Sequence, residues 1–202
     1  MKMAKKFLAV ALAGVLALSV LTGCGASVKS KDIADALTKM GVKVEQDKDM
    51  DKTAEETLAA IEAVVNAPAN AAKPDTDTSK ITLDNAVNDT TGKIIKRSTI
   101  TNSPNAAIAK ILGLYETSDG TAQNENISKN VKVALVKIEN ATKDASLQAA
   151  LVKDGLAVVC NRTPSDTKVY AESGKLGSAK TSDGKYILVV IVNDVVAKTA
   201  NN

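Results

Sequence analysis

Histidine and tryptophan are absent from the 202 residues, and the aromatic side chains are Phe7, Tyr115, Tyr170 and Tyr186. Without histidine there is no Ser-His-Asp triad, no histidine base beside a cysteine and no histidine-ligated zinc. Three tyrosines and no tryptophan leave few flat platforms for stacking sugar rings. The core must be built from Ala, Val, Leu and Ile. Cysteine occurs twice, as Cys24 and Cys160, which is too sparse for a disulfide framework. A basic surface is missing as well. The formal charge of +3 comes from Lys2, Lys5 and Lys6; after residue 23, the 23 remaining basic residues match the 23 acidic ones. A neutral chain lacks the excess of Lys and Arg that phosphate backbones require, so no nucleic acid is expected as a partner.

What is present is most specific at the N-terminus. "MKMAKK" is a short basic segment, and residues 7–21 then run without a charge. Fifteen residues fall short of the roughly 20 of a spanning helix and fit the apolar region of an export signal, with the lysines held on the cytoplasmic side. The run ends in Leu21-Thr22-Gly23-Cys24. This tetrad resembles the lipobox of bacterial lipoproteins: a leucine, two small residues and a cysteine. The resemblance covers about the first 24 residues. It implies that the Cys24 thiol takes a diacylglycerol group, that cleavage falls between Gly23 and Cys24, and that the new amino group is often acylated too. With Cys24 acylated, Cys160 has no disulfide partner within the chain. Its setting in Ala157-Val158-Val159-Cys160 predicts a buried, inert thiol.

Residues 24–30 read as a polar tether. Residues 31–67 read as helical. Ile33, Ala36, Leu37 and Met40 share one helix face, with Ser30 as cap and Gly41 as stop. Val42 to Asp51 alternates like a short strand. A second helix is predicted from a Thr53/Glu56 capping box, with the stripe Leu58, Ile61, Val64 and Val65 and a stop at Pro68. Residues 68–80 read as an exposed linker or loop. The remainder, 81–202, reads as an α+β unit, and 31–202 is compatible with a single domain. Thr91-Gly92 suggests a hairpin. Ser103 and Pro104 open a helix. Turns fall at 118–120 and 182–184. Residues 127–141 match both a strand, through Val131, Val133 and Leu135, and a helix face, through Ile127, Val131, Ala134, Leu135 and Ile138. The helical match is longer, so a helix is predicted there. Asp144 caps a further helix that ends near Gly155. Three apolar stretches, around 156–162, 167–173 and 185–198, predict strands of one antiparallel sheet. Helices first and about three strands last give an α+β fold.

Other constellations are weak. Ser-x-x-Lys occurs at Ser165/Lys168 and Ser182/Lys185, both in turn-like sequence and without a Lys-Thr-Gly strand. "DTTGK" at 89–93 lacks the first glycine and the final Ser or Thr of a phosphate loop. "DTDT" at 75–78 lacks the glycine and terminal glutamate of a calcium loop. Asn161-Arg162-Thr163 is a glycosylation sequon by letters alone. The helices followed by a strand meander resemble, coarsely, the α-β-α sandwich of the cysteine-rich secretory protein superfamily. That superfamily's His-containing cavity is missing here, and no residue carries over.

The sequence therefore predicts a lipoprotein on the extracytoplasmic face of the cell membrane, held to lipid through acylated Cys24. Its domain is expected to be a non-enzymatic binding module for an envelope protein or peptide, with no catalytic residue, metal or cofactor assigned. Two alternatives stand beside this. One is a substrate-binding lipoprotein serving a transporter, for which 24–202 is short. The other is a histidine-free hydrolase acting on the envelope.

Overall fold

The structure, a computed structural model, describes residues 28–88, 90–96, 105–113, 129–141, 143–161 and 167–198. Its axis is the apolar run near the C-terminus, residues Tyr186–Ala197. Rich in Val and Ile, this run forms a single long strand. Lys129–Lys137 lies antiparallel along one side, from Lys129 opposite Asp194 to Lys137 opposite Tyr186. Gly174–Lys180 lies antiparallel along the other, from Lys175 opposite Val192 to Lys180 opposite Ile187. Val44–Gln46 then adds in parallel beyond Gly174–Lys180. Ala157–Asn161 adds antiparallel beyond Lys129–Lys137. Lys168–Tyr170 pairs with the last residues of the long strand, Tyr170 opposite Val195. In chain order these are β1 (Val44–Gln46), β2 (Lys129–Lys137), β3 (Ala157–Asn161), β4 (Lys168–Tyr170), β5 (Gly174–Lys180) and β6 (Tyr186–Ala197), with sheet order β1-β5-β6-β2-β3.

The described helices are α1 (Ser30–Lys39), α2 (Lys48–Val65), α3 (Pro68–Ala71), α4 (Leu83–Ala86), α5 (Asn105–Ile111) and α6 (Ala145–Gly155). They cover both faces of the sheet. Ile187, Val189 and Ile191 of β6 join Ile33 and Leu37 of α1 and Ala149 and Val152 of α6 in one buried cluster. The alternate residues Leu188, Val190 and Val192 join Leu58 and Ile61 of α2, Ala86 of α4 and Ile108 of α5 in another. Burial on both faces is why Ile187 to Val192 of β6 reads as an unbroken apolar run with no polar alternation. At about 25 cal/mol per Å² of apolar area, these two clusters are the main stabilising term.

The expectation of mixed α and β, drawn from the order of predicted helices and strands, holds; its finer form does not. There are six strands among the described residues, and β1 pairs in parallel, so the sheet is mixed. Helices and strands interleave along the chain. β3 pairs with β2 and not with β4 or β6. Residues 129–137 are a strand, against the helix predicted over 127–141. Val131, Val133, Ala134 and Leu135 are all buried because both faces of β2 are covered, and the resulting apolar run mimics a helix face. β5 was not foreseen, since Gly174, Gly177 and Ser178 have low strand propensity. In place of a hairpin at Thr91-Gly92 there is the single turn α4 and a parallel bridge between Val87 and Ile95.

Helix starts shift too. Ser30 is the first residue of α1 and not its cap. The Lys29 N–H donates to the Asp32 carboxylate at 2.9 Å, and the Ser30 hydroxyl pairs with Ser178 at 2.8 Å. Gly41 does end the helix, at φ +86°, where a side chain is disfavoured. α2 begins at Lys48, ahead of the Thr53/Glu56 box. The Asp47 carboxylate accepts from the Asp49 and Met50 N–H groups at 2.9 and 3.0 Å. The Thr53 hydroxyl, now inside the helix, donates back to the Asp49 carbonyl. Asp144 caps α6 as predicted, accepting from Ser146 and Leu147. The 68–80 stretch contains α3. There Asn70 donates to the Val65 and Ile81 carbonyls and accepts from the Ile81 N–H. Ser103, Pro104 and the 118–120 turn lie outside the described residues.

Candidate functional site

Gly23 and Cys24 lie outside the described residues. The description begins at Val28, and from there the entry to the fold is fixed. The Lys180 ammonium donates to the Val28 carbonyl at 2.9 Å, and burial holds that ammonium below its ordinary range. With the Ser30–Ser178 hydroxyl pair, these contacts seat the start of α1 against the end of β5. No helix among the described residues is long and apolar enough to cross a membrane.

Among the described residues, a shallow groove of about 530 Å³ lies between α1 and β1, lined by Lys31, Asp35, Thr38, Lys39, Val44, Glu45 and Gln46. Lys31 and Asp35 form an i,i+4 ion pair across its wall at 2.8 Å, which holds the Lys31 ammonium above its ordinary range. β1 is an outer strand of the sheet, yet its outward backbone at Val44 is occupied. The Thr38 hydroxyl donates to the Val44 carbonyl at 2.9 Å and lies 3.5 Å from the Val44 N–H. The groove thus presents mixed charge and satisfied backbone.

A second cluster gathers where β6 begins. The Tyr186 hydroxyl donates to Asp84 at 2.8 Å, joining α4 to the sheet. Burial first, then this bond and the negative charge of Asp84, Glu139 and Asp183, push the Tyr186 hydroxyl up to about 12. Glu62, near the end of α2, is held above the usual carboxylate range by burial and then by Asp183. Asp183 itself is held below that range by hydrogen bonds from the Thr181 hydroxyl at 2.6 Å and the Lys185 N–H at 3.0 Å. Among the described residues, no three His, Cys, Asp or Glu side chains converge on a position that could hold a metal ion. The chemistry of this cluster is structural: a phenol and a turn spend their donors on local carboxylates.

The weaker motifs are placed as follows. Ser182 and Lys185 lie in the turn before β6, not on a helix, and Lys185 faces Asp183 at 3.7 Å. Ser165 lies outside the described residues and Lys168 is in β4. In "DTTGK", Asn88 accepts from the Thr90 and Thr91 N–H groups, while the Lys93 ammonium donates to the Thr78 and Lys80 carbonyls at 2.5 Å each. In "DTDT", Asp75 pairs with Lys80 at 2.7 Å and Asp77 accepts from the Ser79 N–H. These loops fold on their own polar groups. Cys160 is only half-buried, at the rim of the α2-side core, where the prediction had it fully inside. Burial, and then the nearness of Cys160, raise the Tyr170 hydroxyl. The groove beside β1 had no sequence signal, because α1 and β1 meet there only through the fold. No known protein family matches the chain, and neither a characterised protein nor a solved structure matches it.

Proposed function

We propose that this chain is a lipid-anchored extracytoplasmic protein whose domain acts as a binding module at the cell envelope. The single observation that carries the reading is the Leu21-Thr22-Gly23-Cys24 tetrad closing the uncharged run 7–21 behind a lysine-rich start. An acylated Cys24 would stand four residues before Val28, so the anchor and the fold are adjoining parts of one design. Two acyl chains suffice for stable attachment, at about 0.8 kcal/mol per buried methylene. The ion-paired groove between α1 and β1 suits a polar segment of an envelope protein or peptide, because Lys39, Glu45 and Gln46 offer both donors and acceptors there.

The test is metabolic labelling with a fatty acid in a bacterial host. Wild type is expected to carry label and to lose residues 1–23. Cys24→Ala is expected to stay unlabelled and unprocessed. Normal labelling of Cys24→Ala would sink the anchor assignment.

A further inference from the structure

Two pairs of large apolar side chains remain exposed among the described residues: Leu147 and Leu151 on α6, at 53% and 40%, and Val169 and Val196 on β4 and β6, at 38% and 43%. They differ in their distance from the start of the fold. Lys180 and Ile187 are partners, as are Lys137 and Tyr186, so these four residues mark one end of the sheet. α1 starts at that end, tied to Lys180 through Val28. α6 starts there too. The Ile138 N–H donates to the Lys185 carbonyl, the Asp144 N–H donates to the Ala141 carbonyl, and the buried Gln148 amide donates to the same Ala141 carbonyl. The two helices also finish together, since the Lys153 ammonium in the last turn of α6 donates to the Met40 carbonyl that closes α1. α1 and α6 therefore run side by side in one layer, and Leu147 and Leu151 project from the outer side of α6, one turn apart. The Val169–Val196 pair sits at the opposite end. Val196 is ten residues beyond Tyr186, about 34 Å along the strand.

We infer that the α1–α6 layer lies against the lipid surface, with Leu147 and Leu151 inserted among the headgroups. The inference rests on the lipid anchor proposed above. Its physical basis is tether length. From Cys24 to Val28 there are four residue steps, which reach at most about 14 Å. Neighbouring helices in a layer are about 8–10 Å apart, so the start of α6 stays within roughly 24 Å of the bilayer in any orientation and rests on it when the layer faces the lipid. Exposed leucines one turn apart on a helix confined to that distance gain burial by entering the interface. Val196 shares the strand alternation of Leu188, Val190 and Val192, on the face covered by α2 and not by α1 and α6, so the valine pair is turned away from that surface. Lys143 and Lys153 frame the leucines while Asp144 and Asp154 stand beside them, so the contact is apolar in origin and does not call for anionic lipid.

The chain contains no tryptophan, which makes a single introduced indole an unambiguous reporter. Full-length protein processed in a bacterial host would be reconstituted into phosphatidylcholine vesicles with or without brominated acyl chains. Leu147→Trp and Leu151→Trp are expected to emit at shorter wavelength and to be quenched roughly twofold more than Val196→Trp or Glu55→Trp, as fits insertion of about 5–10 Å. Two positions are used so that a poorly folding variant, detected by its circular dichroism, leaves the other. Equal quenching at all four positions, or none at 147 and 151 in protein that floats with the vesicles and carries lipid on Cys24, overturns the orientation alone. Absence of lipid on Cys24 by mass spectrometry overturns both the orientation and the anchor.

Discussion

Gly177 is the position where the packing of α2 on the sheet is tested most directly. A Cβ built there would overlap the carbonyl carbon and oxygen of Met50 and the amide nitrogen of Asp51, all inside the 3.0 Å that such atoms keep. These are backbone atoms in the first turn of α2, so no side chain can swing away. Gly177→Ala must lift the start of the helix by on the order of 1 Å, which forfeits up to about half of each dispersion contact beneath it. It also pulls Asp51 from two bonds, the Ser178 N–H at 3.1 Å and the Gln46 amide at 2.6 Å. Overpacking of this kind costs about 1–3 kcal/mol, and weakening bonds to a charged group adds about 1.5–3 kcal/mol. A loss of about 3–5 kcal/mol corresponds to a fall in Tm on the order of 10 °C for a chain of this size. The assay is urea and thermal unfolding of the chain expressed without residues 1–23, followed by circular dichroism. Gly41→Ala is the comparison: no atom lies within 4 Å of its added Cβ, and only the φ of +86° is strained, at about 1–2 kcal/mol. If Gly177→Ala unfolds within about 1 kcal/mol of wild type, or costs less than Gly41→Ala, the close seating of α2 on β5 is wrong.

Three further outcomes follow from single contacts. Tyr186→Phe deletes the donor to Asp84 and is expected to lower stability at pH 7 by about 1–2 kcal/mol in urea unfolding. Because the folded hydroxyl is raised to about 12 from an ordinary 10, wild type should hold this contribution below pH 10. It should lose it as pH rises from 10 to 12, so the wild-type minus variant difference must shrink across that window; a flat difference refutes the assignment. Glu62 is raised, so its ionisation opposes folding above its unfolded value, and Glu62→Gln should be slightly more stable at pH 7, by no more than about 0.5 kcal/mol, with the advantage vanishing at pH 3–4. Thr38→Val removes the hydroxyl serving both backbone groups of Val44; a loss of about 1–3 kcal/mol in Tm measurements, with more self-association by sedimentation, is expected.

How far the fold was legible depends on whether its cause is local. Asp144 was readable as a cap because an N-cap acts on residues two and three places ahead. β6 was readable because a run such as Ile187 to Val192 has high strand propensity in its own right. β2 was not: with helices on both faces, Val131, Val133, Ala134 and Leu135 are all buried, and period-two alternation disappears. β5 was missed for a related reason. Gly177 is set by the approach of α2, a contact with residues more than a hundred places earlier, and strand propensity is secondary to that demand. The cap of α2 was misplaced because Thr53 and Asp47 both offer oxygens, and the choice falls to the turn that brings Met50 onto β5. Cys24 is the opposite case: in the proposed reading it belongs to a linear signal that acts before any fold exists, which is why it stands out from the sequence while the groove beside β1 does not.

The proposed anchor and the sheet edge bear on each other. A domain confined to a membrane by a short tether meets its copies at high local concentration, and an open strand edge is the surface most prone to pair under those conditions. β1 is such an edge, but it is only three residues long. Its outward groups at Val44 are taken by Thr38, and Lys43 beside it is ion-paired with Glu172. Glu45 then places a charge in the middle of the strand. Short length, a hydroxyl acting as a false partner and flanking charge are independent ways of blocking the same association. Their coincidence on one strand fits the proposed anchor, which would hold copies of the chain close together. Since Thr38 already occupies the Val44 backbone, the ligand proposed for the groove between α1 and β1 would be recognised through side chains and not as an added strand.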